Sequence, residues 1–152
     1  MNRRTLISTG LAGLVAPTLA RATDGSEDQD VARPSIFPEE PEPLEAYLWR
    51  SRPVVIFADT GQDLLFRRQM ELLEEGEKFL QERDVVVLTD TDPDAHGPLR
   101  IKLRPRGFQL VLIGKDGGVK LRKPRPWTVR ELSRTIDKMP LRQQEIRQRW
   151  ER

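Results

Sequence analysis

The stretch Pro53-Val-Val-Ile-Phe57, then Gln62 to Glu82, then Val85-Val-Val-Leu88, decides the fold. The two short runs are apolar without alternation, which predicts strands covered on both faces. Between them Leu65, Gln69, Leu72, Leu73, Gly76, Phe79 and Leu80 recur at helical spacing, with Arg67, Arg68, Glu71, Glu74, Glu75 and Lys78 filling the other face. Strand, helix, strand at this separation predicts a right-handed parallel crossover. Thr60 is expected to cap the helix, and Asp63 to sit at the positive end of its dipole. Gly76 weakens the helix or lets it approach the sheet closely.

Outward toward the C-terminus, Phe108-Gln-Leu-Val-Leu-Ile113 predicts a third strand and Gly114-Lys-Asp-Gly-Gly118 a tight turn. Val119 to Arg122 returns as a fourth strand. Thr128 with Glu131 three residues on is a capping box that opens a helix, whose stripe runs through Leu132 and Ile136. Pro140 ends or redirects it, and Leu141 to Trp150 forms a last helix, amphipathic through Ile146 and Trp150. Asp90 to Pro98 reads as a polar loop. The expected class is α/β and thioredoxin-like: a four-stranded mixed sheet, β-α-β then a β-hairpin then α, with the first strand central and flanking helices.

Toward the N-terminus, Leu44 to Trp49 forms a short helix with Leu44, Tyr47 and Leu48 on one face. Residues 23–43 carry seven acids and four prolines among few apolar groups, so an acidic Pro-rich linker is expected, in which Ile36 and Phe37 can dock locally. Residues 1–22 resemble an export signal. Asn2-Arg-Arg-Thr5 is basic, Leu6 to Ala16 is short and mildly apolar, and Ala20-Arg-Ala22 suits a signal peptidase. The paired arginines favour a twin-arginine route over Sec, with a periplasmic or secreted product. The expected domain is then 44–152, with no stable membrane span after cleavage, since the apolar stretch is shorter than the ~20 residues a span needs.

The leader holds three arginines and no acid, so the 26 basic and 24 acidic residues of the whole chain become 23 and 24 after its removal. The apparent basicity therefore argues for no nucleic acid among the partners. The charge is uneven: residues 99–152 hold sixteen bases and five acids. Within one domain the acidic and basic parts can neutralise one another; alternatively the last third forms a basic surface for an acidic partner.

Leu110 to Lys120, followed by Ile136-Asp-Lys-Met-Pro-Leu-Arg-Gln-Gln-Glu145, resembles the signature of domain-of-unknown-function family 4174. Glu45 to Trp49 and Arg52 to Phe57 fit its opening. The resemblance implies a thioredoxin-like domain similar to that repeated in vertebrate sushi-repeat and related extracellular-matrix proteins. It carries over no catalytic residue.

Chemistry is bounded by one absence, since the chain has no cysteine. Thiolate catalysis and Cys-ligated metal are excluded. In a thioredoxin-like fold the reactive loop follows the first strand, here Ala58-Asp-Thr-Gly-Gln-Asp63. Thr60 lacks an evident base, and the proline expected just before the third strand is replaced by Gly107-Phe108. Asp59 and Thr60, with Arg106 in the facing loop, remain candidates for a small ligand; an anion at the helix start would be repelled by Asp59 and Asp63 unless Arg104 and Arg106 point inward. Asp90-Thr-Asp-Pro-Asp94 alternates carboxylates like a calcium loop but lacks its glycine and its closing acid. His96, the only histidine, cannot build a zinc site alone. No metal and no cofactor are expected. Around Pro140, Arg142 either pairs with Asp137 or Glu145 or joins Trp127, Arg147 and Arg149 in a docking face; Trp127 serves equally as a cover over the sheet edge. The favoured function is a non-catalytic module binding an unidentified protein or other macromolecule. The alternative is an oxidoreductase-related or small-ligand-binding enzyme using the loop after the first strand.

Overall fold

The computed structural model describes residues 34–152. The expected signal peptide, 1–22, and residues 23–33 of the expected linker lie outside the described residues. Four strands, β1 (Arg52–Phe57), β2 (Val85–Asp90), β3 (Gln109–Ile113) and β4 (Val119–Lys123), form one sheet in the order β2-β1-β3-β4. β1 and β2 are parallel, while β1–β3 and β3–β4 are antiparallel, so the mixed sheet and the hairpin match expectation. The hairpin turns through Gly117, whose φ of +80° an L-residue rarely adopts.

Burial explains the uninterrupted apolar runs. Val54, Ile56, Val85, Val87, Leu110 and Leu112 face one side, against Leu73, Leu80, Leu132 and Ile136. Val55, Phe57, Val86, Leu88, Val111 and Ile113 face the other, against Tyr47 and Leu103. Along β1, Val85–Leu88 of β2 and Leu110–Ile113 of β3, alternate residues therefore bury their side chains against alternate layers, while β4 is largely exposed.

The first layer consists of α1 (Leu64–Glu75), α2 (Glu77–Gln81) and α4 (Val129–Asp137). The expected single helix over 62–82 is two. Gly76 breaks it, because a Cβ there would lie 2.5 Å from Val129 Cγ2; the glycine lets α4 approach the α1–α2 joint. The second layer holds a 3₁₀ turn, Leu44–Tyr47, and α3 (Pro98–Leu103). The polar loop expected to end at Pro98 thus gives way to a helix that starts at that proline, as proline's fixed φ favours.

α5 (Pro140–Trp150) departs from its expected amphipathic form. Trp150 is 85% exposed, and the residue that α5 buries is Arg142. Ahead of the sheet, Ile36 is buried in the first layer, and its carbonyl accepts the Val87 N–H at 2.7 Å. Glu77 accepts from both the Ser35 hydroxyl and the Ile36 N–H. The later part of the expected linker is therefore packed against the domain. Among the described residues no helix is long and apolar enough to cross a membrane.

Candidate functional site

The carboxyl ends of β1 and β2 form the crevice where open α/β sheets hold ligands. Here Arg100, from α3, fills it. Its Nε donates to Asp90 Oδ1 at 2.8 Å, and its terminal nitrogen donates to the carbonyls of Ala58 (2.6 Å) and Asp90 (3.1 Å). The guanidinium carbon stands 5.5 Å from the centre of the Phe57 ring. Both side chains of the ion pair are nearly buried, 11% and 12% exposed. One side chain thus ties together the ends of the two parallel strands and satisfies carbonyls that a ligand would otherwise meet.

Asp59 and Thr60 stand exposed beside this plug. Thr60 is not the cap of α1. Asp63 is: its Oδ1 accepts the N–H groups of Leu65 (2.8 Å) and Phe66 (3.1 Å), and Thr60 contributes only its carbonyl, to the Asp63 N–H. The chain turns into the helix three residues later than expected, so the later of two eligible side chains reaches the free amides. Arg106 is exposed in the loop before β3, whose first residue, Gln109, pairs with Phe57. It therefore shares this end of the sheet with Asp59 and Thr60.

The acidic run has other employment. Asp90 holds Arg100 and accepts the Asp92 N–H, and Asp92 accepts the Ala95 N–H in a 3₁₀ turn, Pro93–Ala95. His96 follows it, exposed, at φ +47°.

Arg142 lies at the opposite end of β1, five residue steps and ~17 Å away. It is 5% exposed and takes the first of the two roles read for it, pairing with Asp137 and Glu145; so buried, it offers no surface to the alternative docking face. Arg142 donates to Glu145 Oε2 at 3.3 Å and stands 3.5 Å from Asp137 Oδ1. Glu145 Oε1 accepts from Arg52 (3.0 Å) and Lys115 (2.8 Å). Lys115 reaches Asp84 at 2.7 Å, and Arg83 binds both oxygens of Asp137, at 2.9 and 2.8 Å. Arg52 is 1% exposed and also donates to the Arg83 carbonyl. Burial alone would raise the Glu145 carboxyl, but hydrogen bonds from Lys115 and Arg52 outweigh it and hold it at about 2. Asp137 is likewise lowered: burial opposes ionisation, and Arg83 and then Arg142 overcome it.

Trp127 lies in neither place. It packs half-buried against the first core layer, with its backbone N–H and carbonyl bonded to Gln69 at 2.7 and 2.9 Å. Lys123 Nζ stands 4.6 Å from the ring centre. This is the cover that the sequence allowed. The five candidates therefore divide: Asp59, Thr60 and Arg106 share one end of the sheet, Arg142 closes the other, and Trp127 seals a face.

Sequence reasoning missed Arg100, Asp90 and Arg52 as structural centres, because pairs ten and ninety-three residues apart leave no local periodicity. It also missed a groove of about 490 Å³ between the α1–α2 joint and α4. Leu72, Gly76, Phe79 and Val129 line its apolar part, with Arg130 and Arg134 on the α4 wall and Glu75 opposite.

The profile of the family described as "Domain of unknown function (DUF4174)" matches residues 43–145. The chain belongs to that family. No curated protein matches it in sequence. Among solved structures it is similar to the reduced 2-Cys peroxiredoxin of Plasmodium vivax, at 15% identity over 62% of this chain and 80% of that one, with a TM-score of 0.50. It is also similar to Plasmodium yoelii Prx1a modified at the N-terminus, at 14% identity over 62% and 76%, with a TM-score of 0.51. The fold is thioredoxin-like.

Proposed function

We propose that this member of a family of unknown function is an exported, non-catalytic binding module, working in the periplasm or outside the cell. The observation that carries the reading is the Arg100 plug in a chain without cysteine. The similar solved proteins are peroxiredoxins, one of them a "2-Cys" protein by name; this chain keeps the scaffold and has no thiol to place on it. A buried ion pair at the head of the crevice takes up the space and the carbonyls that substrate would need.

Binding falls to the surface. The sixteen bases of residues 99–152 outnumber their five acids, and Arg104, Arg106, Arg147 and Arg149 are exposed. Such a surface attracts an acidic macromolecule, chiefly through charge complementarity. The paired arginines and small-residue site of residues 1–22 support export, by the twin-arginine or the Sec route, with cleavage before Thr23. The resemblance to the domain of vertebrate sushi-repeat matrix proteins belongs to the same proposal, as another extracellular setting for such a domain.

Three measurements test it. Intact mass of the protein from the exported fraction is expected to begin at Thr23. Purified protein is expected to turn over neither peroxide nor disulfide substrates; catalysis above the rate of a heat-unfolded control would overturn the non-catalytic reading. Cross-linking in the exported fraction is expected to trap an acidic partner at low ionic strength and to lose it when salt shortens the Debye length from ~10 Å to ~3 Å. A yield indifferent to salt would sink the electrostatic part.

A further inference from the structure

We propose that the groove between the α1–α2 joint and α4 receives an acidic, amphipathic helical segment of a partner protein. This inference rests on the binding-module reading above and gives that module an address.

The groove exists because of Gly76. By ending α1 where α4 comes closest, the glycine redirects the chain, and α2 then carries Phe79 at the groove with 61% of its surface exposed. Leu72 and Val129 continue the apolar lining around Gly76. A large exposed aromatic beside half-buried aliphatic groups is a surface that gains from being covered. At one end the Arg83–Asp137 pair closes the groove with its charges already satisfied, and Arg83 also stands 3.7 Å from Glu82.

The charges on the walls choose the occupant. Arg130 and Arg134 form no ion pair among the described residues, unlike Arg52, Arg83, Arg100 and Arg142. They stand four residues apart on α4, one turn, or about 6 Å along the axis. Carboxylates four apart on a facing helix have the same spacing. Glu75, on the opposite wall, repels acids there and favours a base. The segment that fits therefore carries an apolar stripe for Phe79, Leu72 and Val129, acids along the flank facing α4, and a base on the flank facing Glu75. This is helix-in-groove recognition, with apolar anchors for affinity and charge for orientation.

The probe is a fluorescein-labelled peptide of about fifteen residues, the length at which an isolated helix begins to hold. It carries Leu and Phe at helical spacing and glutamates along one flank. Fluorescence anisotropy against the folded domain is expected to show saturable binding. Phe79→Asp and, separately, Arg130→Glu with Arg134→Glu are expected to weaken it by about tenfold or more, the equivalent of ~1.4 kcal/mol. All three residues carry no contact on which the core depends, and circular dichroism checks that each variant keeps the wild-type fold. A peptide with lysines in place of the glutamates is expected to prefer the Arg130→Glu/Arg134→Glu variant to wild type. No saturation with wild type, equal binding of the two peptides, or unchanged binding by the variants would each overturn the proposal. A salt-sensitive partner trapped equally by wild type and by these variants would defeat the groove while leaving the wider module reading standing.

Discussion

The two ends of β1 are both sealed by charge, but on different scales. At the carboxyl end one ion pair, Arg100–Asp90, spans two strand ends and leaves Asp59 and Thr60 exposed beside it. At the amino end Arg52, Arg83, Asp84, Lys115, Asp137, Arg142 and Glu145 join β1, the hairpin turn and α5 into one clasp. Most of the clasp comes from the stretches that carry the family resemblance. In this chain the stretches that carry the resemblance and the residues that lock this end of the domain largely coincide. The end at which thioredoxin-like proteins hold their reactive loop is, in this chain, the plainer of the two. A motif can thus identify a family while saying little about what its members do.

The sharpest way to break this contrast is to cut the clasp at its centre. Glu145→Leu leaves the buried Arg52 without its carboxylate, while Lys115 keeps Asp84, and uncompensated buried charge costs about 3–5 kcal/mol. Chemical denaturation is expected to show that loss with little change in slope; a loss under about 1 kcal/mol would mean the clasp is ornamental.

Removing the plug is expected to cost less. Arg100→Leu strands the Asp90 carboxylate and removes the bonds to two carbonyls, those of Ala58 and Asp90, for a loss of about 2–3 kcal/mol. The double variant Arg100→Leu with Asp90→Leu is expected to recover much of it, since apolar replacement of a whole buried pair is often neutral. Failure to recover would show that the carbonyl contacts, rather than the ion pair, hold the strand ends.

Acid separates the two ends further. The folded Glu145 carboxyl sits at about 2, below its ordinary 4.5, so its contribution is complete above 4.5 and is lost as pH falls toward 2. Asp137 is lowered as well and acts in the same direction. Stability measured across that window is expected to fall steeply in wild type and less steeply in Glu145→Gln, which has no such proton to take up. Parallel curves would contradict the assignment.

The smallest effects belong to the loop beyond the plug. Asp63→Ala removes the cap of α1 and is expected to cost about 1 kcal/mol. Thr60→Ala is expected to stay within about 0.5 kcal/mol. The reverse order would restore Thr60 as the cap.

How much of this was legible follows from range. The four strands, the turn at Gly117, the capping box at Thr128 and the corner at Pro140 are local patterns, and each stands where its residues predict. The Asp63 cap was half legible, since both eligible side chains were visible but the point at which the backbone enters the helix was not. The break at Gly76 required knowing that Val129, fifty-three residues on, comes to rest against it. Most of the clasp was invisible for the same reason. Arg52 and Glu145 have no periodicity that announces a partner across most of the domain, whereas the pairing of Arg142 with Asp137 and Glu145, three to five residues away, was legible from their spacing. The apolar stripe expected of α5 failed because that helix buries a guanidinium instead.

The placement of Ile36 reaches beyond the fold itself. β2 is an outer strand, and strands at a sheet's border invite pairing with other chains. Ile36 occupies the Val87 amide and pins the segment with a buried side chain, while the opposite border, β4, carries Lys120, Arg122 and Lys123. One border is shielded by a strap and the other by repulsion. A form of the protein clipped just after Phe37 should therefore stay folded yet become prone to aggregate, through β2 first.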